Sequence, residues 1–309
     1  MFTTSELIFV SEVDGLEISV LLIEPEEEPR AVVQIMHGMC EYKERYLPFM
    51  QYLAAQGYAS VIFDQRGHGQ SVRSKEDLGY MYECGIDGYL KDMYDINRKI
   101  HDRFTDIPLI LFGHSMGSLA VRAFTSEHDD CIDMLIICGS PSDNSAKGLA
   151  KFIAQTEGKM KGMRHRSKRL EALSFGGYVA KFKDEESNFA WLCTDPEVVK
   201  AYEESDYCGF TFTDDAYIVL FDLMKKAYDV RKWHMTNPDM PVLFISGRDD
   251  PCMINIRQFA SAVRAMRSAG YHDVRGKVYN NMRHEILNEK DKLTVYKDLC
   301  TYIEKKLFK

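Results

Sequence analysis

The chain has 309 residues, 45% of them hydrophobic and 28% charged, an ordinary composition for a folded globular protein that excludes a mainly disordered chain. Its formal net charge of −8 argues against a nucleic-acid binder, whose phosphate-neutralising face makes a domain basic. The eight cysteines are scattered without a CxxC pair, so no zinc site or disulfide framework is expected, and they read as reduced, packed thiols.

The N-terminal stretch MFTTSELIFVSEVDG has no basic n-region and carries acids among its apolar residues, unlike a signal peptide. Nowhere do 18 apolar residues run together, and a cytoplasmic location is the resulting expectation. Residues 7–13 and 16–25, joined through Asp14-Gly15, predict an opening β-hairpin with a two-residue turn. The continuous apolar run 31–36 predicts a strand buried on both faces. A helix at 46–56, a strand at 59–63, a long amphipathic helix at 86–104, a strand at 109–112, a helix at 116–128 and a strand at 132–138 follow. The alternation then stops. Residues 142–234 read as helical segments rich in Phe, Tyr, Trp and Met, with a basic run at Lys159, Lys161, Arg164, Arg166, Lys168 and Arg169. It resumes with strands at 242–246 and 274–279 and helices at 259–269 and 294–307. The pattern implies an α/β fold, a mostly parallel central sheet flanked by helices, with its core split between residues 1–141 and 235–309. Residues 142–234 form a helical cap insertion over the carboxyl ends of the strands.

Gly113-His114-Ser115-Met116-Gly117 is a GxSxG pattern directly after a strand and before a helix. The bare pattern is weak evidence. In that position, however, a strained turn projects the Ser115 hydroxyl above the sheet while the helix N-terminus faces developing negative charge. The alternative is a helix N-cap serine. A serine hydroxyl needs a base to take its proton, and partners of such a turn follow in the order Ser, Asp, His. Asp249 and Asp250 lie in the loop after strand 242–246. Asp250, restricted by Pro251 behind it, is the candidate orienter, with Asp249 as the alternative. His284, in the loop after the last strand, is the candidate base, and His114 reads as packing inside the turn. An oxyanion hole requires two N–H donors: Met116, after the nucleophile, and Met39, in the His37-Gly38-Met39 loop after strand 31–36.

Five stretches carry a family resemblance: HGMCEYKERY at 37–46, FDQRGHGQS at 63–71, GHSMGS at 113–118, SGRDDP at 246–251 and YNNMRHEILNE at 279–289. Together they resemble the monoacylglycerol lipase and lysophospholipase branch of the serine α/β-hydrolases, related to the serine aminopeptidases of the S33 type. The stretch WLCTDPEVVKAYEESDYCGFTFT at 191–213 extends the likeness into the cap. The resemblance implies an α/β-hydrolase fold with a lid and a triad of Ser115, Asp250 and His284. It implies Met39 and Met116 as oxyanion donors, and no metal or organic cofactor. Cys40 and Tyr42 depart from the family's usual small residue and histidine, which leaves the pocket beside the oxyanion hole open. His68, within Gly67-His68-Gly69, is assigned structural work. The cap's aromatic and Met side chains, among them Phe152, Phe175, Tyr178, Phe182, Trp191, Phe210, Phe212 and Phe221, either line an acyl tunnel or form the cap's own core. Cys40, Trp191 and Phe210 are the candidate substrate contacts. The basic run either meets anionic head groups in transient contact with a membrane surface or is a solvated helix face. The expected partner is a small acyl ester or lipid substrate. A peptidase or amide hydrolase of the same fold, and a non-catalytic ligand-binding member, are the competing readings.

Overall fold

The computed structural model describes residues 1–308. Its strands are β1 (Phe2–Val10), β2 (Glu17–Pro25), β3 (Ala31–Met36), β4 (Tyr58–Phe63), β5 (Leu109–His114), β6 (Met134–Cys138), β7 (Val242–Gly247) and β8 (Val274–Tyr279). Its helices are α1 (Leu47–Ala55), α2 (Gly85–Arg103), α3 (Met116–His128), α4 (Lys147–Lys161), α5 (Lys168–Lys181), α6 (Pro196–Glu203), α7 (Asp214–Tyr228), α8 (Ile256–Ala269) and α9 (Lys292–Leu307). The strands form one sheet in the order β1-β2-β4-β3-β5-β6-β7-β8. The pairs from β4 to β8 are parallel, and β2 joins antiparallel to both β1 and β4. This is the mostly parallel α/β sheet expected from the alternation of elements, in the α/β-hydrolase arrangement that the family resemblance implies.

The central strands are apolar at nearly every position because both faces are covered. Val32, Leu109, Leu111, Leu135, Ile137, Val242 and Phe244 pack with α2, α3 and α8 in one core. Their alternates Val33, Ile35, Ile110, Phe112, Ile136, Leu243 and Ile245 pack with α1 and α9 in the other. The period of two along each strand thus becomes two cores, one per face.

The opening hairpin differs from expectation. Val10 pairs with Glu17, so residues 11–16 connect the strands where a two-residue turn was predicted. The reason is Ser11: its N–H and carbonyl close the loop on Leu16 and Gly15 (both 2.9 Å), and its buried hydroxyl turns inward to Asp92 on α2. Between β6 and β7 the chain leaves the sheet through α4, α5, α6 and α7. Of these, α7 returns to it, contributing Ala216, Val219, Leu220, Leu223 and Ala227 to the core that holds α3. No described helix is long and apolar enough to cross a membrane.

Candidate active site

Because β3, β5, β7 and β8 run parallel, the loops that follow them open at one edge of the sheet, and each carries one candidate residue. After β5 the chain turns into α3 within a single residue. Ser115 takes φ 53° and ψ −118°, a conformation that costs a residue with a Cβ about 1–3 kcal/mol. The flanking glycines do not bear this strain; they permit close packing. A Cβ on Gly113 would lie 2.4 Å from the Gly117 carbonyl oxygen, and one on Gly117 would lie 2.2 Å from that of Met36. The turn is held by Ser115 N–H donating to Cys138 O (3.0 Å) and by the Ser118 hydroxyl donating to Ser115 O (2.5 Å). Met116 N–H, in the first turn of α3, has no acceptor within the helix.

After β7 and β8 the chain brings Asp250 and His284 together. His284 Nδ1 lies 3.0 Å from Asp250 Oδ1, and both side chains are buried. Asp249, the neighbouring carboxylate, is exposed. Asp250 is further held by Cys252 N–H (2.8 Å) on Oδ1 and by the Ser246 hydroxyl (3.0 Å) on Oδ2. Burial penalises the His284 imidazolium, but the Asp250 carboxylate outweighs it, with Cys252 adding to the effect, and the net pKa rises well above the ordinary histidine value. Burial likewise raises Asp250, and His284 more than reverses it, so this carboxyl sits below its usual range.

His284 Nε2, the ring nitrogen not engaged by Asp250, has Cys252 Sγ at 3.8 Å. Ser115 and His284 line the same cavity without a hydrogen bond between them, the loose arrangement common in sites that tighten around substrate. His114, read from the sequence as packing, also lines this cavity, its ring centroid 4.6 Å from that of His284. Burial, then the neighbouring His284, pushes the His114 pKa down to about 3, so it stands neutral beside the base.

The loop after β3 is shaped by ion pairing. Gly38 N–H donates to Glu41 Oε1 (2.5 Å), whereas Met39 N–H has no acceptor among the described residues. Arg45 grips Glu285, the residue after His284, with two hydrogen bonds (2.7 and 2.6 Å) and donates a third to Glu41 (2.7 Å). All three side chains are nearly buried. Burial raises Glu285, but Arg45 prevails and holds its carboxyl well below the usual range. Glu41 stays raised by burial despite sharing Arg45. One guanidinium thereby joins the Met39 loop to the His284 loop. Cys40, at φ 57°, ties the same loop to the insertion. Its thiol donates to Phe210 O (2.8 Å), and its carbonyl accepts from Tyr202 OH (2.9 Å) and Gly209 N–H (3.2 Å).

Two cavities meet at Ser115, sharing Met39, Phe175 and Trp191. The larger, about 580 Å³, includes Cys40, Trp191 and Phe210, the three substrate contacts expected from sequence, together with the polar Glu41, Lys168, Glu171 and Asn188. The smaller, about 190 Å³, is walled mainly by Leu119, Leu149, Ile153, Leu173, Leu220 and Phe221. Other aromatics expected at the tunnel lie elsewhere: Phe212 is buried in the core and Phe152 is exposed. The basic run is not one helix face, because α4 ends at Lys161 and residues 162–167 form a turn. Arg164 pairs there with Asp77, and Arg166 donates to the carbonyls of Glu76, Leu78 and Thr211. His68 is buried against Phe210 and Phe212. Asp250, Cys252 and His284 stand close enough to hold a metal ion, but the carboxylate is already engaged by His284, Ser246 and Cys252.

Residues 27–291 match the family described as serine aminopeptidase, S33. Among characterised proteins the chain is similar to a monoacylglycerol lipase of Mycolicibacterium smegmatis, 24% identical over 301 residues that cover 97% of each protein. It is also similar to a monoglyceride lipase of Saccharomyces cerevisiae, 24% identical over 301 residues covering 90% of this chain and 86% of the yeast protein. Among solved structures, a thermostable carboxyl esterase from Bacillus coagulans superimposes with a TM-score of 0.90 over 99% of both chains at 21% identity, which establishes a shared fold.

Proposed function

Because the chain belongs to the serine aminopeptidase S33 family of hydrolases, we propose that it is a serine carboxylic-ester hydrolase that cleaves monoacylglycerol or lysophospholipid through Ser115, His284 and Asp250. The observation that carries this reading is the buried Asp250–His284 pair, 3.0 Å apart, beside a serine strained into the cavity at φ 53°. His284 takes the Ser115 proton as the hydroxyl attacks the ester carbonyl, and the imidazolium is stabilised by Asp250. The carbonyl oxygen becomes negative between Met39 N–H and Met116 N–H. His284 then protonates the departing alcohol, and water activated by the same ring releases the acid.

Residues 142–234 serve as a cap that supplies both cavity walls. The acyl chain occupies the small apolar cavity and the alcohol or head group the larger one, where Lys168, Glu171 and Asn188 stand. Leu149 and Leu173 are both exposed and part of the small cavity's wall, which supports transient membrane contact through the cap as the route for lipid entry. The Glu171 carboxylate in the larger cavity suits an amino group as well, and favours an aminoacyl amide as the second reading.

A fluorophosphonate probe, with Ser115→Ala as control, tests the nucleophile. Labelling should vanish and turnover should fall by roughly 10⁴ to 10⁶; a variant that keeps a tenth of the activity rejects Ser115. Comparing monoacylglycerol, lysophosphatidylcholine, nitrophenyl esters and a prolyl amide decides the substrate class. A prolyl amide cleaved faster than every ester selects the second reading.

A further inference from the structure

Away from Ser115, three segments of the insertion converge on one point. Glu157 comes from α4, His165 from the turn between α4 and α5, and Asp214 from the first residue of α7. His165 Nδ1 lies 2.9 Å from Asp214 Oδ2 and 3.9 Å from Glu157 Oε2. The backbone fixes this meeting: His165 N–H donates to Gly162 O (2.9 Å), Asp214 N–H to His165 O (2.8 Å) and Asp215 N–H to Met163 O (3.3 Å). The Asp214 side chain is fully buried, yet its Oδ1 has no hydrogen-bond partner, and neither has Glu157 Oε2. Buried carboxylate oxygens are almost always satisfied, because leaving one unmatched forfeits its hydration for nothing. Lys161 Nζ approaches from the far side of the ring, 3.4 Å from His165 Nε2, and so leaves these oxygens unanswered. Burial raises the Asp214 carboxyl above its usual range even though His165 opposes this.

We propose that Glu157, His165 and Asp214 form a binding site for one divalent transition-metal cation of the Zn²⁺ class, which braces α4, the following turn and α7. Imidazole nitrogen and carboxylate oxygen are the donors such ions take. Two atoms each about 2.1 Å from a tetrahedral ion lie roughly 3.4 Å apart, and the observed separations of 2.9 and 3.9 Å bracket that value. The ion has a path from solvent, because a quarter of the His165 side chain and a fifth of the Glu157 side chain are exposed. The site shares no residue with the Ser115 machinery. Its effect is on the stability of the insertion, and it stands whether or not ester hydrolysis does.

The full-length, chelator-treated protein is titrated with Zn²⁺ while its melting is followed, and with Co²⁺ while its visible spectrum is recorded. One equivalent should bind and raise Tm by about 4 °C at a hundredfold excess over Kd. The Co²⁺ spectrum should show d–d bands without a thiolate charge-transfer band. Glu157→Gln, His165→Ala and Asp214→Asn should each weaken binding at least tenfold. Glu157→Gln changes a partly exposed side chain and circular dichroism verifies its fold, so it decides the matter if the buried variants do not fold. No Zn²⁺ effect at millimolar concentration overturns the proposal, as does an equal effect in Glu157→Gln. A thiolate band lost in Cys252→Ala overturns it too, placing the ion beside His284 instead.

Discussion

Asp250 and Arg45 are buried or nearly buried charged side chains that touch the candidate base or its neighbour: Asp250 is paired with His284, Arg45 with Glu285. Asp250 raises the pKa of His284 against the effect of burial. With neutral His284 as the proposed base, kcat/KM should rise with pH through a midpoint above the ordinary histidine value near 6.5 and level off on the alkaline side. In Asp250→Asn, the main charge opposing burial is gone: the rising limb should move to lower pH while the plateau falls by about 10⁴. A limb that stays in place in that variant removes Asp250 from its role. Arg45 leads to a different expectation. Arg45→Met strands two buried carboxylates, Glu41 and Glu285, and should cost about 3–5 kcal/mol in chemical denaturation. Arg45→Lys keeps the charge but not the two-pronged grip on Glu285, so it should recover much of the stability while kcat remains lower than wild type with KM little changed. The Arg45 linkage was not legible in the sequence. Residues 41 and 45 share a helical spacing and 285 adjoins the candidate base, but no local pattern links positions 240 apart in the chain. The turn at Ser115, by contrast, is legible because the strand, turn and helix that form it are contiguous.

The alternation of strands and helices could be read from apolar runs because both faces of the sheet are covered, and helix bounds were displaced by only a residue or so at α1, α2 and α9. The opening hairpin was misread because Ser11 gains a buried partner on α2, a tertiary contact invisible to turn chemistry. The small glycines of the turn at Ser115 let α3 lie directly against β3. That assigns them a measurable role. Gly117→Ala forces a methyl group to 2.2 Å from a backbone oxygen and should destabilise the protein by more than about 3 kcal/mol in urea unfolding. A neutral outcome would mean that the two elements part more easily than their packing implies.

For the molecule as a whole, two cavities of unlike lining converge on the Ser115 hydroxyl, and on the proposed reading each takes one end of the substrate. Ala150→Trp fills the smaller cavity from α4 and should abolish turnover of long-chain esters while short-chain nitrophenyl esters are still cleaved. Equal losses across chain lengths would put the acyl group in the other cavity. The insertion's composition hinted at a lipid-facing role, but which aromatics line a cavity depends on helix rotation, which sequence alone does not define. Cys40 carries the wider consequence. Its thiol and carbonyl are fastened to Tyr202, Gly209 and Phe210, one residue away from the amide of Met39. On the proposed mechanism, lifting that segment to admit substrate would slacken the loop that carries the Met39 amide, so turnover should require the segment to settle back first.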